Sequence, residues 1–255
     1  MTGLLNLHEP PPVIVERPAG RSRLFFSCDH ASNRIPEALG NLGLPSDELE
    51  RHIAWDIGAA GVARHLSRQL DATLVLQNYS RLVVDCNRPQ DHEQLIPALS
   101  EATEIPGNQD LTLAHRAQRV SEIFMPYHES ITTLLDERAE NGRATAFVAV
   151  HSFTPSYLEQ SRPWHIGILC RHDMRMADFL RKQLQTGSAW CIGENEPYQI
   201  DGKDYGIPMH AENRELPHVL IELRQDLIAT ETGQYEWAQL LTPILQASLV
   251  DLPCR

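Results

Sequence analysis

Compact apolar runs separated by short polar interruptions set the organisation of this chain. Arg23 to Cys28 (RLFFSC), Thr73 to Gln77 (TLVLQ), Arg81 to Asp85 (RLVVD), Ala144 to Val150 (ATAFVAV), His165 to Cys170 (HIGILC) and His218 to Leu223 (HVLIEL) are bounded by turn residues and predict buried strands. Leu49, Ile53, Ile57, Ala60, Ala63 and Leu66 recur at three- and four-residue steps and predict an amphipathic helix. It is expected to start at Ser46-Asp47-Glu48, where a capping side chain and first-turn acids complement free N–H groups. Further helices are predicted from about Leu111 to Glu140, broken or kinked at Pro126, then at Ala177 to Leu184, and at Tyr235 to Leu249 in spite of Pro243. Residues 1–20, with Pro10-Pro11-Pro12, read as an extended lead-in. Gly193 to Pro217, rich in proline and glycine, reads as a long functional loop, with Tyr198 and Tyr205 placed to cover a site.

Strands alternating with helices predict an α/β three-layer sandwich built on a mixed, mostly parallel sheet. The short spacing between Thr73–Gln77 and Arg81–Asp85 leaves no room for a crossover helix, so that pair is expected to be antiparallel. The 255 residues are read as one domain, long enough to bury a substantial core. Four polar interruptions fall at or near strand tips: Ser27 to His30, Asp85 to Arg88, Val150 to Ser152 and Ile221 to Arg224. Open α/β sheets build their sites at such tips.

Composition removes several function classes. A net charge of −12 makes nucleic acid and anionic membranes poor partners, and an anionic substrate would need arginines at the site itself. No apolar stretch is long enough to span a bilayer and no secretory signal opens the chain, so the cytoplasm is the default location. The five cysteines, Cys28, Cys86, Cys170, Cys191 and Cys254, are scattered without a C-x-x-C pair, which argues against a disulfide framework or a zinc knuckle. There is no H-E-x-x-H, no G-x-S-x-G and no phosphate-binding glycine loop.

The residues at the tips point to metal-assisted hydrolysis of an anionic amide. His30 and His151 each follow a predicted strand, where rigid supports can bring two imidazoles together on one cation. Asp56 stands in an otherwise apolar stretch (HIAWDIGAAG) and needs a cationic partner, which makes it the candidate third ligand. His52 competes for that place, and Asp29 is a candidate acceptor orienting a histidine. Glu222 interrupts a buried strand and is the natural general base beside a metal, later the acid for the departing amine; an ion pair with Arg224 is the alternative. Arg88, with its planar fork, is a candidate for carboxylate binding or for polarising the amide carbonyl, next to Asn87. Arg81 and Arg171 are reserves for the same anion.

SCDHASNRIP (Ser27 to Pro36), AWDIGAAGVARHL (Ala54 to Leu66), SRLVVDCNRP (Ser80 to Pro89), AVHSFTP (Ala149 to Pro155) and VLIELRQDL (Val219 to Leu227), in this order, resemble the N-formylglutamate amidohydrolase family over roughly Leu24 to Leu227. The resemblance implies a fold related to the zinc carboxypeptidases and aspartoacylases. It also implies a zinc-type, divalent-metal hydrolase that releases formate from N-formylglutamate or a related small N-acyl amino acid. By motif, His30 and His151 match the metal-binding histidines, Glu222 the catalytic acid, and Asn87-Arg88 the substrate-contacting pair. The acid ligand does not transfer, because the carboxypeptidase position three residues after the first histidine is Asn33 here; Asp56 takes its place. Asp29-His30-Ala31-Ser32 also departs from the Pro-His-Ser-Gly of members tied to histidine breakdown, which puts the chain in a side branch. A hydrolase of another N-acyl amino acid or peptide, and a binding protein without catalysis on the same fold, are the alternative expectations.

Overall fold

The structure is a computed structural model and describes residues 3–186, 190–250 and 252. Seven strands form the main sheet: β1 (Val13–Glu16), β2 (Leu24–Cys28), β3 (Thr73–Gln77), β4 (Ala146–Phe153), β5 (Ile166–Leu169), β6 (Ile192–Glu194) and β7 (His218–Arg224), in the spatial order β1-β3-β2-β4-β7-β5-β6. β2, β3, β4 and β7 run parallel to one another, whereas β1 and β5 are antiparallel to their partners β3 and β7, and β6 follows β5. The sheet is thus mixed and mostly parallel, as the alternation of runs predicts.

Alternation within the buried strands divides the core in two. Leu24, Phe26, Val148, Val150, Val219 and Ile221 face one layer, which holds the helices α1 (Ala59–Leu70), α4 (Arg175–Gln185) and α5 (Glu231–Ser248). Phe25, Phe147, Ala149 and Leu220 face the other, built by α2 (Leu113–Arg119), α3 (Met125–Glu140) and the irregular segment between β3 and α2. Both strand faces are covered, so the central strands read as unbroken apolar runs rather than alternating ones. The chain leaves β2 for β3 through α1, then crosses back to β4 on the other side of β2. That reversal makes a crevice at the C-terminal ends of β2 and β4, the place where open sheets accept ligands.

Four expectations change. Val13–Glu16, within the lead-in, is an edge strand on β3. The helix expected from Ser46 is only a turn, Ser46–Leu49; the chain then bends and becomes helical again at Ala59. Gly58 begins α1 at φ +81, and a Cβ there would lie 2.1 Å from the Ile228 carbonyl oxygen, so only glycine permits this entry. The third change concerns Pro126: the chain stays helical through a π turn, Val120–Phe124, and the proline sits in the first turn of α3, where its missing N–H costs least.

The fourth is the run Arg81–Asp85, which is not a strand and makes no antiparallel pair with β3. It is a buried turn whose N–H groups at Arg81, Val83 and Asp85 reach scattered backbone carbonyls, and whose Leu82 and Val83 carbonyls are satisfied by side chains rather than by a neighbouring strand. Asn108 donates to the Leu82 and Pro97 carbonyls at 2.8 and 2.7 Å, and Arg119 donates to the Val83 carbonyl at 3.0 Å and to Asn108 Oδ1 at 2.6 Å. Leu82, Val83 and Val84 are fully buried, so hydrophobicity alone does not separate this turn from a strand. Its effect is to deliver Arg81, Asp85, Asn87 and Arg88 to the crevice.

Candidate active site

At the crevice, His30 follows β2, His151 lies near the end of β4, and Asp56 stands in the bend before α1. The Asp56 backbone N–H donates to the His30 carbonyl at 3.0 Å, so two of these segments are tied together. One ligand atom from each of His30, Asp56 and His151 falls within 4.8 Å of the others, and all three residues are buried. Asp56 bridges the imidazoles: its Oδ2 is 2.8 Å from His151 Nδ1 and its Oδ1 is 3.3 Å from His30 Nδ1.

Each imidazole has a second carboxylate behind it. His30 Nε2 lies 2.8 Å from Asp85 Oδ1, and His151 Nε2 lies 3.5 Å from Asp29 Oδ2. Tyr127 on α3 donates a short hydrogen bond to Asp29 Oδ1, while Arg81 clasps Asp85 through Nε and Nη2 at 3.1 and 2.7 Å. Carboxylates that fix the far nitrogen of a ligating histidine set its tautomer and orientation. Asp85, given no role of its own from the sequence, thus stands directly against the cluster; its signal was an acid at the end of a buried apolar run, four residues after Arg81.

The electrostatics of this cluster call for positive charge. Burial works to raise the carboxyls of Asp56, Asp85 and Asp29, but His30, His151 and Arg81 hold all three below the ordinary range. Burial pulls the other way on the imidazoles, and the surrounding carboxylates overcome it, so both His30 and His151 bind protons more tightly than usual. With neutral imidazoles, three buried carboxylates face one guanidinium, a shortfall that a divalent cation would fill. His30 Nδ1 and His151 Nε2 are buried and make no hydrogen bond. Two imidazoles and a carboxylate are a donor set suited to zinc and similar ions.

Glu222 joins the same face of the sheet. In β7 it is registered against His151 of β4 on one side and Gly167 of β5 on the other. A Cβ on Gly167 would lie 2.2 Å from the Glu196 carbonyl oxygen, so only glycine lets the segment after β6 lie on the sheet beside Glu222. Glu222 is 6% exposed and its Oε2 has no hydrogen-bond partner. Burial, opposed by His151 and reinforced by Asp56, pushes its pKa up to about 8. Arg224, the alternative partner, instead pairs with Asp226 at 2.8 Å.

The profile of the N-formylglutamate amidohydrolase family matches residues 22–229. The chain belongs to this family. Membership supports amidohydrolase activity in general. Among solved structures, the gene product Atu2144 from Agrobacterium tumefaciens is 40% identical, with a TM-score of 0.93 over 96% of this chain and 98% of that one. N-formylglutamate amidohydrolase from Ralstonia eutropha JMP134 shares the fold at 18% identity, with a TM-score of 0.71 over 93% of this chain and 97% of that one. No curated protein matches.

The remaining expected site residues of this amidohydrolase separate into groups. Arg81 is at the centre, but its charge is shared between Asp85 and Asp56. Asn87 is largely occupied by the loop: Oδ1 accepts from the Tyr205 and Gly206 N–H groups at 3.1 and 2.9 Å, and Nδ2 donates to Asp204 at 3.0 Å. Arg88 donates through Nη1 to the Asn87 and Lys203 carbonyls and stands 3.6 Å from Asp204. Arg171 stands apart from the cluster, because β5 runs antiparallel to β7 and releases it toward the opposite edge, where it pairs with Glu212. His52 lies 3.4 Å from Glu101, outside the metal-competent trio.

The expected loop contains structure of its own. The helical turn Gly206–His210 is pinned to α3 by His128 Nδ1 and His210 Nε2, 2.8 Å apart. Burial pushes these histidines down to about 4 and about 3, so they meet as a neutral pair. Cys28, Cys86 and Cys170 are buried free thiols and Cys191 is exposed; Cys254 lies outside the described residues. Burial pushes the Cys28 and Cys86 thiols up, which suits inert core residues rather than nucleophiles. Among the described residues no helix is long and apolar enough to cross a membrane.

Proposed function

We propose that this protein is a metal-dependent deformylase that hydrolyses the amide of an N-formyl acidic amino acid, with N-formylglutamate as the reference substrate and glutamate and formate as products. The observation that supports it most is the buried convergence of His30, Asp56 and His151 beside a carboxyl, Glu222, that has no other partner. His30, Asp56 and His151 would hold the ion, zinc being the ion best suited to the donor set. Bound there, a divalent ion supplies Lewis acidity toward the formyl carbonyl and the attacking water.

The chain's own groups supply the proton transfers and the positioning. Glu222 accepts a proton from water as its oxygen attacks the formyl carbon, then passes that proton to the amide nitrogen as the carbon–nitrogen bond breaks. A buried carboxyl with raised proton affinity can serve both halves of this cycle. Arg88, half-exposed beside the site, faces the negative charge that develops on the carbonyl oxygen or the substrate's α-carboxylate. Asp85 keeps the His30 imidazole oriented through Nε2.

A substrate panel tests this reading. Purified protein, loaded with zinc, is assayed for amine and formate release from N-formylglutamate, and for amine release from N-acetylglutamate, N-succinylglutamate and glutamyl dipeptides. The expected outcome is preferential turnover of the N-formyl compound, lost on treatment with a chelator. Preferential cleavage of a dipeptide or of a longer acyl group would move the assignment to another metal hydrolase. No turnover of any member would leave a binding protein.

A further inference from the structure

Near the metal-competent cluster, two aromatic rings hold a cation that no carboxylate neutralises. The chain continues from β4 into a small hairpin, Ser156–Tyr157 with Gln160–Ser161, and Arg162 follows it with its backbone N–H on the Pro155 carbonyl at 2.8 Å. The Arg162 guanidinium carbon lies 4.8 Å from the centre of the Tyr157 ring and 4.7 Å from that of Tyr198, and its Nη1 donates to the Tyr198 hydroxyl at 2.9 Å. Among the described residues no carboxylate comes within ion-pair distance of it.

These contacts have a chemical consequence. Two rings within 5 Å of the guanidinium and the hydrogen bond to the Tyr198 hydroxyl restrict its orientation and lower the entropy lost when it binds, so its remaining N–H groups are available to a planar carboxylate. Its location supplies the second observation. Tyr198 belongs to the segment laid over Gly167 next to Glu222, and its hydroxyl feels the charges of Glu222, Arg162 and Arg81. His52, on the bend that leads to Asp56, feels Arg81 and Arg162 as well. Arg162 therefore stands where the hairpin that continues β4 meets the loop, within electrostatic reach of the cluster. In a chain of net charge −12, an immobilised and uncompensated arginine at that point is placed for an anion.

We propose that Arg162 is a specificity-determining residue that binds the side-chain carboxylate of the substrate and so selects amino acids with an acidic side chain. The identity of the scissile amide rests on the function proposed above; the carboxylate recognition does not. Kinetics of the zinc-loaded wild type and of Arg162→Gln are compared on N-formyl-L-glutamate and on N-formyl-L-glutamine, which has the same shape without the charge. The wild type is expected to favour the glutamate compound, and the ratio of kcat/KM values to fall by about 30-fold in the variant, the size of one lost charge-assisted contact. The change should lie in KM for N-formylglutamate, with a smaller change for N-formylglutamine, and part of the preference should be kept by Arg162→Lys.

Calorimetric titration with L-glutamate and L-glutamine reads the same preference without turnover. A glutamate preference that Arg162→Gln abolishes supports the role of Arg162 even when neither formyl compound is hydrolysed, a result that would defeat the deformylase reading alone. No preference in the wild type, or an equal preference in Arg162→Gln, overturns the role.

Discussion

Glu222→Gln is expected to lower kcat on N-formylglutamate by about 10²–10⁴-fold while the protein keeps its metal. The amide matches the carboxylate in shape but cannot accept a proton from water. Because Glu222 Oε2 has no hydrogen-bond partner, the substitution breaks no bond to the metal ligands. Nor does the core have to rearrange, since burial already favours the uncharged form of this side chain. Formate release and elemental analysis on the same preparation check both halves. Turnover within tenfold of the wild type would remove Glu222 as the proton carrier, and loss of metal in the variant would make it a ligand instead.

Asp56→Ala is expected to lose the metal altogether, and activity at least as completely as Glu222→Gln. Among the described residues Asp56 is the only carboxylate that contacts both imidazoles: it lies 2.8 Å from His151, 3.3 Å from His30 and 3.5 Å from Arg81, and it also accepts the Ser152 backbone N–H at 3.3 Å. Removing it leaves buried groups without their counter-charge, so the metal-free variant should also be less stable than the metal-free wild type. Breaking a buried pair from one side typically costs about 3–5 kcal/mol. Urea unfolding with chelator present measures that loss, and metal stoichiometry by elemental analysis measures the other. A variant that still binds one equivalent of metal would show that another acid, with Asp85 or Asp29 nearest at hand, completes the coordination.

Strand-forming runs and their tips were legible because a sheet covered on both faces needs continuous apolar segments, and polar residues there have few structural reasons to be present. The structure places His30 just after β2, His151 near the end of β4 and Glu222 within β7 beside His151. The same logic misread Arg81–Asp85, since Leu82, Val83 and Val84 are as buried as any strand. The difference lies partly in Arg119 and Asn108, distant side chains that take over the Val83 and Leu82 carbonyls. Asp56 was visible as a misplaced acid, but its position in a bend depended on the left-handed conformation of Gly58.

Strand direction was the least accessible feature. Nothing local distinguishes an antiparallel β5 from a parallel one, and that direction alone sends Arg171 away from the cluster. Asn87 and Arg162 were obscured for a different reason. The partners that define their surroundings, Tyr205 and Gly206 for the first, Tyr157 and Tyr198 for the second, come from segments that meet only once the loop has folded over the sheet. The loop occupies Asn87 through Asp204, Tyr205 and Gly206 and brings Tyr198 onto Arg162.

The most direct test of the proposed centre is an anomalous difference map from crystals of protein purified without chelator and supplied with zinc, recorded at the zinc edge. A single strong peak bounded by His30, Asp56 and His151, with Glu222 alongside, is the predicted result. A well-ordered trio with no peak between its members, or a peak held by other residues, would contradict it.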